Sequence, residues 1–274
     1  MRPSLKGLCE LLVLTAMTFS LGACESLARY RETRSSQAPC DASKPVQVET
    51  ANGAIVIRKG EVAEAEIRAN LRTTSIERLA ATRVIAETTP GGTLRIGVRW
   101  PGERQGDEGC DFDIVVPGAM GLTLQAQNGR ISVSGLSGVA TLSTSNGAIS
   151  VEGQSGAVKA RSSNGDITVR EASDRVDAAT SNGSITIDMA PAAIGPVIAE
   201  TTNGSIRLRV SPKFSGKIEA STSNGEASLT GFGQGLSPKV ISESRRSFIA
   251  TFSDVGAPSC LTTSNGSVVL SPRN

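Results

Sequence analysis

The side chains able to do chemistry in this chain are carboxylates, guanidiniums, amides and thiols. Histidine is absent, which excludes Ser-His-Asp and Cys-His nucleophilic catalysis and imidazole metal sites. Asp166, Asp174, Asp177 and Asp188 fall in a repetitive stretch. Such acids, gathered with Lys or Arg on one face of a β-helix beside a groove, would carry polysaccharide lyase or hydrolase chemistry. A flat face of small residues would instead carry binding. Acids that alternate with apolar residues are ordinarily solvated, and that reading is preferred here. The sequence has no Gly-rich phosphate loop between a strand and a helix and no Gly-Gly-x-Gly-x-Asp calcium repeat. The expectation is a protein that is not an enzyme and uses no cofactor and no metal.

A second set of polar residues recurs with a fixed period. Thr-Ser-Asn-Gly or a close variant places Asn128, Asn146, Asn164, Asn182, Asn203, Asn224 and Asn265 at steps of 18, 18, 18, 21, 21 and 41 residues. The last step reads as two repeats, with Arg245-Arg246 where the middle Asn-Gly would stand. A ladder of Asn and hydroxyl side chains could offer a polar comb to glycan hydroxyls. It serves equally as a structural column, in which Asn-Gly satisfies a turn and amides bond up a stack, and the structural reading is the stronger. Trp100 is a sugar-stacking platform or a cap on the core, and the cap is preferred. Arg245 and Arg246 would suit an anion or simply an exposed turn.

The elements that position these residues follow from period two. Before each Asn-Gly, alternate residues are small or aliphatic (Val158, Ala160, Ser162; Val176, Ala178, Thr180), and after it two aliphatics alternate (Ile167, Val169; Ile185, Ile187). Each repeat is therefore two short half-buried strands. An antiparallel meander of Asn-Gly hairpins fits this locally. A parallel β-solenoid with Asn stacked on Asn is preferred, because equal repeats are required only when rungs stack in register. Asn52-Gly53, between Val46–Thr50 and Ile55–Ile57, is the first copy. Residues 74–86 carry a helical spacing with a capping box at Thr74 and Glu77. Further strands are expected at Leu94–Val98 and Phe112–Val116, and Arg245-Arg246 predicts a bulge or a different turn. The scarcity of aromatics, with one Trp, one Tyr and six Phe, suits a narrow core of Ile, Val, Leu, Ala and Thr.

Residues 1–23 read as a targeting segment: Arg2 and Lys6 precede a short apolar run that ends in Leu21-Gly22-Ala23-Cys24. That ending resembles a bacterial lipobox. The resemblance implies cleavage before Cys24, lipidation of its sulfur and amine, and a cell-envelope protein, with Glu25 pointing to the outer membrane if the host is Gram-negative. Residues 24–45 are then a lipid anchor and flexible linker, and 46–274 the repeat domain. Without the leader the chain holds 26 basic and 25 acidic residues, so nucleic acid is not an expected partner. Of the remaining cysteines, Cys40 and Cys110 are the expected disulfide, since Cys260 lies in the last repeat, too far away to bridge.

Val115-Val116-Pro117-Gly118, the run from Leu122 to Asn128-Gly129, Ile131–Gly135 and Thr144–Gly147 together resemble the bacterial family named putative adhesins, a domain of unknown function with β-strand repeats. The similarity spans about residues 46–270 and is densest over 112–230. It implies a right-handed β-helix-like fold and no assigned catalytic residues; with the spacing above, the expected fold is all-β, a right-handed parallel β-solenoid of about 18–21-residue rungs with one short helix near the N-terminal end. Together these readings give an envelope-anchored lipoprotein with a structural, adhesive or binding surface, whose partners are the membrane through its anchor and an envelope protein or glycan. The alternatives are a periplasmic scaffold or regulator that binds another envelope protein, and a carbohydrate-active β-helix.

Overall fold

The computed structural model describes residues 30–233 and 236–273, together with the backbone of Leu14–Ala16. Cys24 lies outside the described residues, as does most of the segment read as a leader. The fold is all-β, a parallel solenoid in which each rung gives one strand to each of two twelve-stranded sheets. Neighbouring rungs stay parallel and in register, Ile149 beside Ile167 and Ile167 beside Ile185 in one sheet, Val158 beside Val176 in the other. The antiparallel meander is thereby excluded.

Register follows from the pleat. Alternate residues point inward, so a slip by one residue would expose a whole buried row. Ile131, Ile149, Ile167, Ile185 and Ile206 form one buried row; Ala140, Val158, Val176 and Val197 form the facing one. Each rung covers its neighbour's aliphatic edge, at about 25 cal/mol per Å² of apolar area removed from water.

The stack does not follow chain order. Strands Val46–Asn52 and Ile55–Lys59 make the first rung, but the next rung begins only at Met120. The intervening residues add a layer beyond it. Leu94–Arg99 pairs parallel with the first rung and Arg83–Thr88 pairs antiparallel with Leu94–Arg99. On the other sheet Gly109–Val116 is followed by Ala65–Thr73 and then by Tyr30–Ala38, both antiparallel. At the far end, Ser259–Asn265 lies between Val197–Asn203 and Lys217–Asn224, and Val268–Pro272 lies between Ile206–Val210 and Ala227–Leu229. The last rung in sequence is thus the second-last in space. The hairpin of Lys239–Ser244 and Ser247–Thr251 closes the end, antiparallel to Lys217–Asn224.

Several expectations are corrected. The segment expected to be a flexible linker contains the strand Tyr30–Ala38, paired along its whole length with Ala65–Thr73. It escapes pattern reading because its inward positions include Glu32 and Ala38 rather than large aliphatics. Glu32 is held there by Arg34, which also donates to the carbonyls of Leu79 and Thr82. The helix is Ile76–Ala81, and its cap is Ser75, which accepts from Arg78 N–H, not Thr74. Arg83 already opens a strand.

The Cys40–Cys110 bridge is not formed: both are free, as is Cys260. Cys40 Sγ sits 3.9 Å from the Gly118 carbonyl oxygen. Cys110 begins the strand that runs toward Gly118, so roughly 20 Å of extended chain separates the two thiols. That is far beyond disulfide reach.

Candidate functional site

The Thr-Ser-Asn-Gly phrase builds one flank of the solenoid, and each residue type in it has a separate physical reason. The first position points inward, and its hydroxyl donates to the glycine carbonyl of the preceding rung. Thr144 reaches Gly129 at 3.0 Å, Ser162 reaches Gly147 at 3.0 Å, Thr180 reaches Gly165 at 3.0 Å and Thr201 reaches Gly183 at 2.8 Å. The second position is exposed at Ser145, Ser163, Ser181, Thr202 and Ser223 and half-buried at Ser264. Asparagine makes the ladder. Asn128 Nδ2 donates to Asn52 Oδ1 at 2.7 Å, Asn146 to Asn128, Asn164 to Asn146, Asn182 to Asn164 and Asn203 to Asn182 at 2.7–2.8 Å. Then the order changes: Asn265 donates to Asn203, and Asn224 donates to Asn265.

All these amides point the same way. At the starting end, Asn52 Nδ2 donates to the carbonyls of Gly106 and Glu108. At the other end, the carbonyls of Arg245 and Arg246 accept from Ala227 N–H and Thr222 N–H. Arg245-Arg246 is therefore the turn that closes the stack, and it does not substitute for a missing middle rung.

The glycine reason differs from the expected one. Gly129, Gly147, Gly165, Gly183, Gly204 and Gly225 are not in the left-handed region. A Cβ on Gly165 would lie 2.0 Å from the Gly147 carbonyl oxygen, and one on Gly204 2.0 Å from that of Gly183. Glycine is required because rungs approach too closely for any side chain.

Outside the first sheet, two outward rows run across the rungs. One is Ser132, Ser150, Thr168 and Thr186, a flat line of hydroxyls in register. The other is Glu152, Arg170, Asp188 and Arg209, with alternating charge. Opposite charges directly across neighbouring strands are favourable. The charged row ends at a cleft of about 640 Å³ that is also lined by Glu171, Gly231 and Arg273.

Two features there break local rules. Glu171 has φ 55°, at the position where the two preceding rungs place Gly135 and Gly153, also at positive φ. Arg273 holds it through an ion pair and donates to the Met189 carbonyl at 2.7 Å, so this one side chain clamps the bulge. Asp188 Oδ1 is buried and accepts no hydrogen bond; Arg209 Nε stands 3.5 Å away, near enough for an ion pair but not aligned to donate. Of the four acids singled out from sequence, only Asp188 lines this cleft. Asp177 pairs with Arg161 at 2.8 Å, Asp166 accepts from Ser184 N–H, and Asp174 accepts from Arg175 N–H. Glu171 could have been found from the 18-residue register with Gly135 and Gly153. Arg273 could not, because it acts across rungs that are distant in sequence.

Trp100, Arg78 and Glu108 lie at the opposite end. Glu108 is fully buried and takes two bonds from Arg78, at 2.5 and 2.6 Å, and one from Gln105 N–H. Burial alone would raise its proton affinity, but the Arg78 bonds and the Gln105 N–H outweigh burial and hold it below the ordinary glutamate range. This pair ties the short helix to the loop that caps the Asn column. Among the described residues no group of three or more Cys, Asp or Glu is placed to hold a metal ion.

No curated protein matches the chain. A solved structure from Bacteroides fragilis, described as a putative adhesin, is 11% identical and covers 92% of this chain and 100% of that one, with a TM-score of 0.45. A putative cell adhesion protein from Clostridium sporogenes is 10% identical over 89% of this chain and 100% of that one, with a TM-score of 0.41. Residues 39–230, well over half of the sequence, match the family described as Toastrack DUF4097. The chain belongs to that family.

Proposed function

We propose that this protein is an envelope-anchored lipoprotein whose solenoid serves as a non-catalytic binding surface. The observation that carries this reading is the outer face of the first sheet: an in-register hydroxyl row, Ser132 to Thr186, beside a row of alternating charge. Parallel stacking holds these groups at about 4.8 Å intervals on a rigid support, so a partner meets a preorganised surface. Lipidation at Cys24, inferred from the lipobox, supplies the tether.

Location and function are tested together by protease shaving of intact cells. Loss of the intact chain supports an outward-facing adhesive surface. Protection until the outer membrane is opened favours the scaffold reading, with another envelope protein as partner. Cys24→Ala is expected to release the chain from membranes; retention of that variant in the membrane fraction would count against the anchor.

A second reading, a carbohydrate-active β-helix, is favoured by the cleft, where Asp, Glu and Arg do gather on one face. Glu171 and Asp188 each face an arginine there, which among the described residues leaves Glu152 as the cleft carboxylate without an ion pair, whereas glycoside hydrolysis ordinarily uses two. New reducing ends released from polysaccharide by the wild type, and lost in Asp188→Asn, would move the assignment to this reading.

A further inference from the structure

At the start of the stack, the outer face of the second sheet carries a groove of about 540 Å³ that the proposed surface does not use. Its floor exists because Gly97 has no side chain, between Ile85 on one neighbouring strand and Glu49 on the other. Trp100 packs against the core and also lines one end of this groove. Arg95 and Arg99 project outward on either side of Gly97, both exposed, and neither forms an ion pair or a hydrogen bond among the described residues.

The charge placement breaks a packing rule. Arg99 stands directly opposite Arg83, and like charges at that position repel. Arg83 turns away, donating to the carbonyls of Ala80 and Thr82. Arg104, at the same end as Trp100, is fixed by bonds to the carbonyls of Gly106 and Glu108. Two guanidiniums therefore lie beside the indole with no anion of the protein on Arg99, whereas Arg95 has Glu87 directly opposite it across the strand pair; Gln47, Glu49 and Glu87 complete the lining. What remains is an exposed guanidinium without an anionic partner beside a concave, partly apolar surface, the kind of lining that suits a ligand.

We infer that this groove binds an acidic oligosaccharide. Trp100 takes the C–H face of a sugar ring, Arg99 and Arg104 take a ring carboxylate, and Gln47 and Glu49 take hydroxyls. Guanidinium forks suit carboxylates, and an indole suits an apolar face with a polar rim. The site is distinct from the hydroxyl row and the cleft, so it stands or falls separately from them.

Trp100 is the one tryptophan in the sequence, so intrinsic emission reports on this groove alone. The full chain is titrated with oligogalacturonate and with a neutral malto-oligosaccharide of equal length. The expected result is a saturable change with the acidic oligomer only, weakened by salt, and at least about tenfold weaker in Arg99→Ala, in line with one lost charged contact. Gly97→Leu should abolish it by filling the groove, at a position where a Cβ has its nearest contact, the Glu49 carbonyl oxygen, at 3.7 Å. A folded Gly97→Leu that binds like wild type would overturn the inference, as would equal saturation by the neutral oligomer or no saturable response to the acidic one.

Discussion

At the scale of single residues, the repeat phrase separates two kinds of polar economy. Asn164 gives one bond and takes one, both at an exposed position. Asn164→Ala should cost about 1 kcal/mol per lost bond. Gly165→Ala should cost more, about 3 kcal/mol, because the added Cβ meets a backbone carbonyl that cannot rotate away. Thermal unfolding of the two variants decides the point: an asparagine loss larger than the glycine loss would contradict the close-approach explanation.

Glu108 gives a pH signature. Its folded-state value lies below the unfolded one, so the stabilisation is complete above the ordinary glutamate value near 4.3 and fades as pH falls through the depressed folded value. The stability gap between wild type and Glu108→Gln should accordingly be large at pH 7 and shrink in acid; a gap that stays constant would contradict it.

The thiols differ in the same physical terms. Burial, then the neighbouring Asp111 charge, pushes Cys110 well above the usual thiol range, whereas Cys260 is exposed. Alkylation without reductant should modify Cys260 at once and Cys110 only on unfolding. Early modification of Cys110 would show that its strand opens. The asparagine positions and the inward rows were legible in the sequence because they repeat. The Glu108–Arg78 pair was not, since nothing in a one-dimensional pattern says which acid meets which base.

At the scale of elements, the rungs from Met120 to Val210 were readable because each carries the same alternation and stacks on its sequence neighbour. Legibility failed where pairing skips along the chain. Tyr30–Ala38 has no aliphatic rhythm, and its place is set by antiparallel pairing with Ala65–Thr73. The final arch, Ser259–Pro272, looks like an ordinary last repeat, yet it pairs on both sides. A chain ending at Gly256 should therefore lose amide protection over 217–229 and 247–251, while 149–189 stays protected. Hydrogen exchange that found 217–229 still protected would mean that this rung can dock directly on 197–210.

At the scale of the whole molecule, both ends of the solenoid need covering. At the start, antiparallel strands and the helix do this. At the other end, Lys239–Ser244 is the outermost strand of its sheet, fully exposed, with Val240 and Ile241 among its residues. Such an edge invites pairing with other chains unless charge or a bulge interrupts it. Here Lys239, Glu243 and an irregularity between Val240 and Ser242 do so. Replacing both charges by valine should produce self-association in sedimentation at concentrations where the wild type remains monodisperse. Unchanged sedimentation would mean that the bulge alone protects the edge.

The inserted arch also sets a timetable. Any polypeptide leaves the ribosome, or crosses a pore, amino end first. Here the arch that lies between the 197–210 rung and the 217–229 rung emerges after both of them. Until it arrives, Lys217–Asn224 has no parallel partner, and the clamp of Arg273 on Glu171 is open. The stack is thus completed out of chain order, its outer rung waiting for an arch that follows it in the sequence.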